Sequence, residues 1–177
     1  MSIAKTNPRL MEACSGLGEQ SNTGYRANIF VIAEDLMEAV SILDRAGYFI
    51  EDISCLDMQE GFQAVYHFDR FEIPFRVCLR VSISRETPEL PSISSIFPGA
   101  DWHERECSDF FGIRFTGHPN LIPLLLDPEH DGPPPLVKEE SLRKDMHQLY
   151  PGWTGTPIKP GSDEFSEAIN HLSNHAK

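Results

Sequence analysis

The sequence predicts an α+β protein, in which a small, mainly antiparallel sheet packs against helices and an extended proline-rich arm follows. Three observations support this fold class. Residues 33–46 repeat apolar side chains at helical spacing, residues 62–68 and 75–83 alternate as strands do, and proline becomes frequent beyond Gly117. The chain has 177 residues, 40% of them hydrophobic, which suits one compact domain with one tail.

Three parts are predicted along the chain. Residues 1–24 are polar and glycine-rich without a clear period, so we expect a flexible leader. Residues 25–116 are predicted to form the α/β domain, and residues 117–177 a docking arm and tail. The leader lacks the apolar segment of a secretory signal and is only weakly basic, so we expect a cytoplasmic protein.

The first predicted element is a helix over residues 33–46. Leu36, Val40 and Leu43 recur on one face, which indicates that this face packs on a core. Gly47 follows as a natural end to the helix.

Three strands are predicted next, over residues 48–58, 62–68 and 75–83. Short linkers containing turn or breaker residues join them, which favours an antiparallel meander. The third strand has one apolar face, while its other face carries Arg76 and Arg80. We expect these arginines to lie on a solvated sheet face; a ligand site is the alternative.

The second predicted helix covers residues 101–112, DWHERECSDFFG. Asp101 and Glu104 have the spacing of a capping box, and Gly112 ends the helix. Asp101, Arg105 and Asp109 follow one another at four-residue spacing, so they are predicted to form a charged line with arginine in the middle.

Proline shapes the remaining segments. Between the third strand and the second helix, the sequence predicts a loop with a short helix at Ser92–Phe97. Beyond Gly117, proline is too dense for long helices or central strands, so we expect an extended arm that lies on another surface. Residues 162–177 are amphipathic and fit either a short terminal helix or a disordered tail.

Composition excludes several classes of function. The net charge of −12 repels phosphate backbones and anionic lipid, so neither nucleic acid nor a lipid surface is an expected partner. No apolar run is long enough to span a bilayer, so no transmembrane span is predicted. The four cysteines, Cys14, Cys55, Cys78 and Cys107, are scattered, which argues against an iron–sulfur cluster or structural zinc on this chain.

A metal site is one hypothesis for the second helix. His103, Glu104 and Cys107 have the outline of an HExxH motif with cysteine replacing the second histidine. A catalytic zinc needs a third protein ligand. The candidates, His118 and His130, lie in proline-rich loops, so this hypothesis has weak support.

An acid–base site is a second hypothesis. Glu104 and Glu106 are two residues apart, so on a helix they point away from each other and cannot converge on one bond. The residues alone are better explained by a charged, aromatic helix at a protein interface.

The same helix carries a family resemblance. The stretch PSISSIFPGADWHERECSDFFGIRFTGHPNL at residues 91–121, followed by LRKD at 142–145, resembles the C subunit of the NADH:quinone oxidoreductase of respiratory complex I, the thirty-kilodalton subunit family. The resemblance covers most of residues 27–147. By this resemblance, the motif and partner-interface residues are Asp101, Trp102, His103, Glu104, Arg105, Glu106, Asp109, Phe110, Phe111, Gly112, His118, Leu142, Arg143, Lys144 and Asp145.

The resemblance implies a role without a reaction on this chain. It implies a non-catalytic scaffold subunit of the peripheral arm, docked on the large, hydrogenase-like subunit of the quinone pocket and touching other peripheral-arm subunits. It further implies that NADH, quinone and iron–sulfur clusters belong to the parent complex, which couples electron transfer to ion translocation. The expected location is peripheral, on the cytoplasmic side of the cell membrane.

Two alternatives stay open at this point. One is the equivalent subunit of a membrane-bound nickel–iron hydrogenase or formate hydrogenlyase. The other, more remote, is a small zinc hydrolase that uses the second helix. Residues 126–141 look longer than the usual link before LRKD, which leaves the identity of the parent complex open.

Overall fold

The structure is a computed structural model that describes residues 24–25, 27–71, 75–150 and 157–170. Six strands lie within these residues: β1 Ala27–Val31, β2 Phe49–Met58, β3 Gly61–Asp69, β4 Val77–Ile83, β5 Glu89–Pro91 and β6 Arg114–Thr116. The α-helices are α1 Leu36–Arg45, α2 Ala100–Phe111, α3 Met146–Leu149 and α4 Asp163–Asn170, and short 3₁₀ turns occur at Ala33–Asp35 and Glu140–Leu142.

The main sheet has four strands in the order β1-β4-β3-β2. β2, β3 and β4 form the predicted antiparallel meander, with Ala64 opposite both Cys55 and Val81. β1 adds to β4 in the parallel direction, a strand that the sequence analysis did not predict. A second, two-stranded parallel sheet joins β5 to β6. The fold class predicted from the sequence is confirmed.

Helix α1 covers one face of the main sheet with the predicted apolar stripe. Leu36, Val40 and Leu43 are fully buried there. Gly47 follows with φ of +78°, a left-handed conformation that favours glycine. Burial of this stripe against the sheet supplies the hydrophobic stabilisation that a ten-residue helix lacks on its own.

Helix α4 completes the same core from the far end of the described chain. Phe165 is fully buried, Tyr48 Oη donates a hydrogen bond to Ile169 O at 2.9 Å, and Ile158 N donates to Phe30 O at 2.6 Å. The helical alternative for residues 162–177 therefore holds over Asp163–Asn170. Residues 171–177, and residues 1–23 of the leader predicted at 1–24, lie outside the described residues.

The opposite face of the sheet corrects one prediction. Arg80 is buried rather than solvated: Nε donates to Asn28 Oδ1 at 2.9 Å, Nη1 donates to Gln63 Oε1 at 3.2 Å, and the guanidinium lies 4.6 Å from the centre of the Tyr150 ring. The cause is a segment about seventy residues later in the chain, which crosses this face. Arg76 stays partly exposed and pairs with Glu51.

Two further local features are relevant to the site. The predicted short helix at Ser92–Phe97 is wrong, since this segment forms hydrogen-bonded turns in which Ile93 O accepts from both Ile96 N and Phe97 N. Within the described ranges, none of the helices has the length and apolar character needed to cross a membrane.

Candidate functional site

The candidate site is built around helix α2, which packs on β2. The predicted capping box is wrong: the helix begins at Ala100, Gly99 is its N-cap, and no side chain caps it. Asp101 lies 3.6 Å from Arg105 Nη1 instead, so the first pair of the predicted charged line is confirmed. Gly112 ends the helix as predicted, with φ of +71°.

Glu104 is the buried anchor of this helix. Its side chain is fully buried, Oε2 accepts from Ser92 Oγ at 2.5 Å, and Oε1 accepts from Ile93 N at 2.7 Å. Burial raises the pKa of Glu104, and the two hydrogen bonds and nearby His118 offset only part of that effect. The glutamate predicted to cap its own helix therefore ties α2 to the turn after β5.

His118 is brought against the same helix. Its side chain is fully buried, with Nε2 3.2 Å from Asp101 O and 3.8 Å from Glu104 Oε2. Nδ1 accepts a hydrogen bond from Asn120 N at 3.0 Å, so the ring proton lies on Nε2 and Asp101 O accepts it. The histidine of the motif thus supports the first turn of α2.

Arg105 and Asp109 hold the first part of the arm, a name used from here on for residues 122–142. Arg105 Nε donates to Ile122 O at 3.0 Å, and Nη2 donates to Pro123 O at 3.2 Å. Asp109 Oδ2 accepts from three consecutive backbone N–H groups, those of residues 124, 125 and 126, at 2.9, 2.7 and 3.1 Å. Burial alone raises the pKa of Asp109, but these N–H groups and Arg105 outweigh it and lower the pKa overall.

The end of α2 holds a second part of the arm. Phe110 O accepts from Leu136 N at 3.1 Å, and the ring of Phe111 packs edge-on against Phe62. A Cβ atom on Gly112 would lie 3.0 Å from Pro134 Cγ. Gly112 therefore serves both the left-handed helix end and the close passage of the arm.

Asp57, on β2, is a site residue that the sequence analysis missed. It is buried, and its carboxylate accepts from Arg85 Nη2 at 2.6 Å, Lys138 N at 2.7 Å and Arg143 Nε at 3.3 Å. Burial alone raises its pKa, but these donors lower it overall. A signal was present: Asp57 continues the inward alternation of Ile53 and Cys55 along β2.

The LRKD residues occupy four different environments. Arg143 bonds Asp57, and its Nη2 donates to Lys138 O at 2.8 Å. Lys144 has an exposed side chain but accepts from Gln59 N through its carbonyl at 3.0 Å. Asp145 caps α3 by accepting from Gln148 N at 2.8 Å. Leu142 is 65% exposed.

Large apolar side chains point outward along the arm. Of the exposed large hydrophobic residues in the described part of the chain, four belong to residues 122–142: Ile122, Leu125, Leu136 and Leu142. We call these four the outward face of the arm. Trp102, 68% exposed, lies one helical turn from Arg105, which holds the Ile122 carbonyl. Glu106 is exposed on the same helix.

The proposed zinc ligands do not converge. His103 Nδ1 lies 3.2 Å from Asp52 Oδ1, Glu104 faces Ser92, and Cys107 Sγ lies 3.7 Å from Ile53 O. Across the described residues, no group of three or more histidine, cysteine, aspartate or glutamate side chains could hold a metal ion.

Comparisons with known proteins identify the family. Residues 29–147 match the family described as "Respiratory-chain NADH dehydrogenase, 30 Kd subunit". The chain belongs to this family. The resemblance found from the motif in α2 is thereby confirmed.

Relatives within this thirty-kilodalton family have consistent names. The NADH-quinone oxidoreductase C subunit of Roseiflexus castenholzii is 39% identical over 102 residues, covering 56% of this chain and 55% of the relative. The chain thus spans about half the length of that curated relative. The NADH-quinone oxidoreductase C/D subunit of Methylococcus capsulatus is 34% identical over 125 residues, covering 65% of this chain and 20% of the relative.

A solved structure agrees with the fold. A trypsin-resistant fragment of Nqo5, residues 1–134, has a TM-score of 0.51 and 28% sequence identity. The similarity covers 64% of this chain and 99% of the fragment.

Proposed function

We propose that this chain is a non-catalytic scaffold subunit of an NADH-quinone oxidoreductase, docked through its arm on the subunit that forms the quinone pocket. In this role it supports electron transfer to quinone and the coupled ion translocation without a cofactor of its own. NADH, quinone and iron–sulfur clusters belong to its partners, which hold it peripherally on the cytoplasmic side of the membrane.

One observation carries the proposal: two charged residues of the motif in α2 bind the backbone of the arm. Arg105 and Asp109 use their charged groups on five backbone atoms of residues 122–126. Because these two side chains already bind the protein's own backbone, they are poorly placed for chemistry on a substrate. They fix the path of an exposed segment, and a pre-ordered segment loses less conformational freedom on binding a partner.

The relative with the double name C/D supports the choice of partner. Its name assigns two subunits to one chain, and this chain matches 20% of its length. Two proteins that function as one fused chain in a relative are expected to be neighbours when they are separate. The D subunit is therefore the partner that we assign to the arm, and we take it to be the one that forms the quinone pocket.

Co-purification from the native host tests the proposal. The tagged chain is expected to bring down cluster-bearing subunits, the D subunit and NADH-quinone reductase activity after gentle solubilisation of membranes. Asp109→Ala, which removes the acceptor for three arm N–H groups, is expected to recover several-fold less of them. Asp44→Ala, at an exposed position on α1, is the matched control.

Other outcomes separate the alternatives. Recovery of a nickel–iron large subunit instead would select the hydrogenase-type parent complex. A lone chain that carries one zinc per molecule would contradict the scaffold role and restore the hydrolase hypothesis.

A further inference from the structure

The arm combines the exposed apolar side chains of its outward face with a high density of negative charge. Residues 122–142 contain five carboxylates, Asp127, Glu129, Asp131, Glu139 and Glu140, against a single lysine. This formal charge of −4 is one third of the net charge of −12 carried by 177 residues. All five residues are exposed. Within the described residues, no ion pair engages any of these five carboxylates.

The arm is held to the rest of the protein through its backbone rather than through buried side chains. Asp109, Asp57 and the Phe110 carbonyl bind backbone N–H groups of residues 124–126, 138 and 136. Three leucines of the arm are nevertheless half or more exposed: Leu125 at 61%, Leu136 at 50% and Leu142 at 65%. An isolated surface loop gains nothing from presenting leucines to water in this way.

From these observations we infer that the arm docks on a basic face of the D subunit, in which apolar hollows for the leucines are flanked by lysine or arginine side chains. This inference rests on the proposed function and adds the chemistry of the partner surface. Complementary charge mainly accelerates association and fixes orientation, whereas buried apolar side chains slow dissociation. The basic face is therefore tested by the association rate, and the apolar hollows are tested by the dissociation rate.

Binding of the full-length chain to the purified D subunit of the same organism tests both halves. Association and dissociation rates would be measured at about 50 and about 500 mM NaCl, since salt at the higher concentration screens exposed charges beyond a few ångströms. The wild-type chain is expected to associate more slowly at the higher salt concentration.

The charge variant is Glu139→Lys with Glu140→Lys, and its control is Asp44→Lys with Glu86→Lys. Both pairs change the net charge equally, but the control residues are exposed on the domain, off the arm. The arm variant is expected to associate about tenfold more slowly at low salt, with the difference lost at high salt. If the arm variant and the wild type associate at equal rates, the inference of a basic face is wrong. The same conclusion follows if the control pair slows association as much as the arm pair does.

The apolar variant is Leu125→Ser with Leu142→Ser, and its control is Phe71→Ser, at a residue that is 83% exposed on the domain. Faster dissociation, by about tenfold at both salt concentrations, is expected for the leucine variant. Dissociation no faster than that of the Phe71 control would overturn the apolar half. Failure of the wild-type chain to bind the D subunit would instead overturn the proposed function. Unchanged melting temperatures would show that all variants are folded.

Discussion

The α/β domain and the arm are ordered by different means. In the domain, side chains such as Leu43 and Phe68 are fully buried between the sheet and the helices. In the arm, Leu125, Leu136 and Leu142 face solvent, and the chain follows a fixed path because Asp57 and Asp109 bind its backbone. Burial of apolar area stabilises a whole domain cooperatively. A carboxylate that binds backbone N–H groups instead orders a segment that has no core of its own.

The largest expected effect is the difference in stability lost when a leucine of the domain and a leucine of the arm are each replaced by alanine. Leu79 is fully buried at the centre of the sheet, so Leu79→Ala is expected to lower the free energy of unfolding by about 3 kcal/mol. Leu136→Ala, the same change at a half-exposed arm position, is expected to cost less than about 0.5 kcal/mol. Urea denaturation of both variants measures this contrast, and equal costs would contradict it.

The next effect concerns the carboxylate that joins the two regions. Asp57→Ala removes the carboxylate shared by Arg85, Arg143 and the Lys138 N–H, so that only backbone acceptors remain for the two arginines. Because both arginines keep some access to solvent, we expect a loss of about 2 kcal/mol, less than for a fully buried ion pair. Urea denaturation measures the loss, and hydrogen exchange at Lys138 locates it. Unchanged exchange at Lys138 would show that Asp57 does not hold the arm.

A smaller, local effect is expected at Asp109. Asp109→Ala should speed hydrogen exchange of the amides of residues 124–126 by about tenfold, because each loses its acceptor, and should leave the global unfolding transition nearly unchanged. Glu106→Ala, at an exposed position on the same helix, is the control. Equal exchange in the two variants would refute the role of Asp109.

The smallest effect is a difference in the response to acid. The raised pKa of Glu104 means that protonation favours the folded domain, so its contribution to stability increases as the pH falls toward the unfolded pKa, about 4.3. The lowered pKa values of Asp57 and Asp109 mean that their contribution is complete above about pH 3.9 and is lost as the pH falls through the folded values.

Hydrogen exchange, corrected for the intrinsic rate at each pH, tests this order. Protection of the amides of residues 124–126 is expected to persist down to about pH 4 and then to disappear before that of the sheet. Loss of arm protection between about pH 5 and pH 6 would contradict the lowered pKa values.

Local patterns were sufficient for the parts of the fold that depend on neighbouring residues. The stripe of α1 and the alternation of β3 and β4 predicted these elements because each pattern has the period of the element that forms. The parallel pairing of β1 with β4 and the burial of Arg80 depend on distant segments, so neither has a local signal. At Glu104 a local capping pattern was present, but the side chain accepts hydrogen bonds from Ser92 and Ile93, after β5, instead.

Some residues of the candidate site could be predicted from the sequence, but the groups that they bind could not. The motif identified Arg105 and Asp109, yet their charges, which suggested a partner surface, bind the chain's own arm. Asp57 stands outside the motif, and only its inward register on β2 distinguishes it from a solvated aspartate. The groups that donate hydrogen bonds to Asp57 cannot be read from spacing, since Lys138 N and Arg143 Nε lie 81 and 86 residues later in the chain.

The packing of helix α4 on the first strand has a consequence for biosynthesis. A ribosome delivers β1 early, and the meander can pair as soon as it emerges, but the core stays open until Ile158 bonds Phe30 and Phe165 enters the sheet–helix layer. A chain interrupted before that point leaves an apolar surface for chaperones and proteases to bind. Cellular quality control can thereby remove incomplete chains before they accumulate.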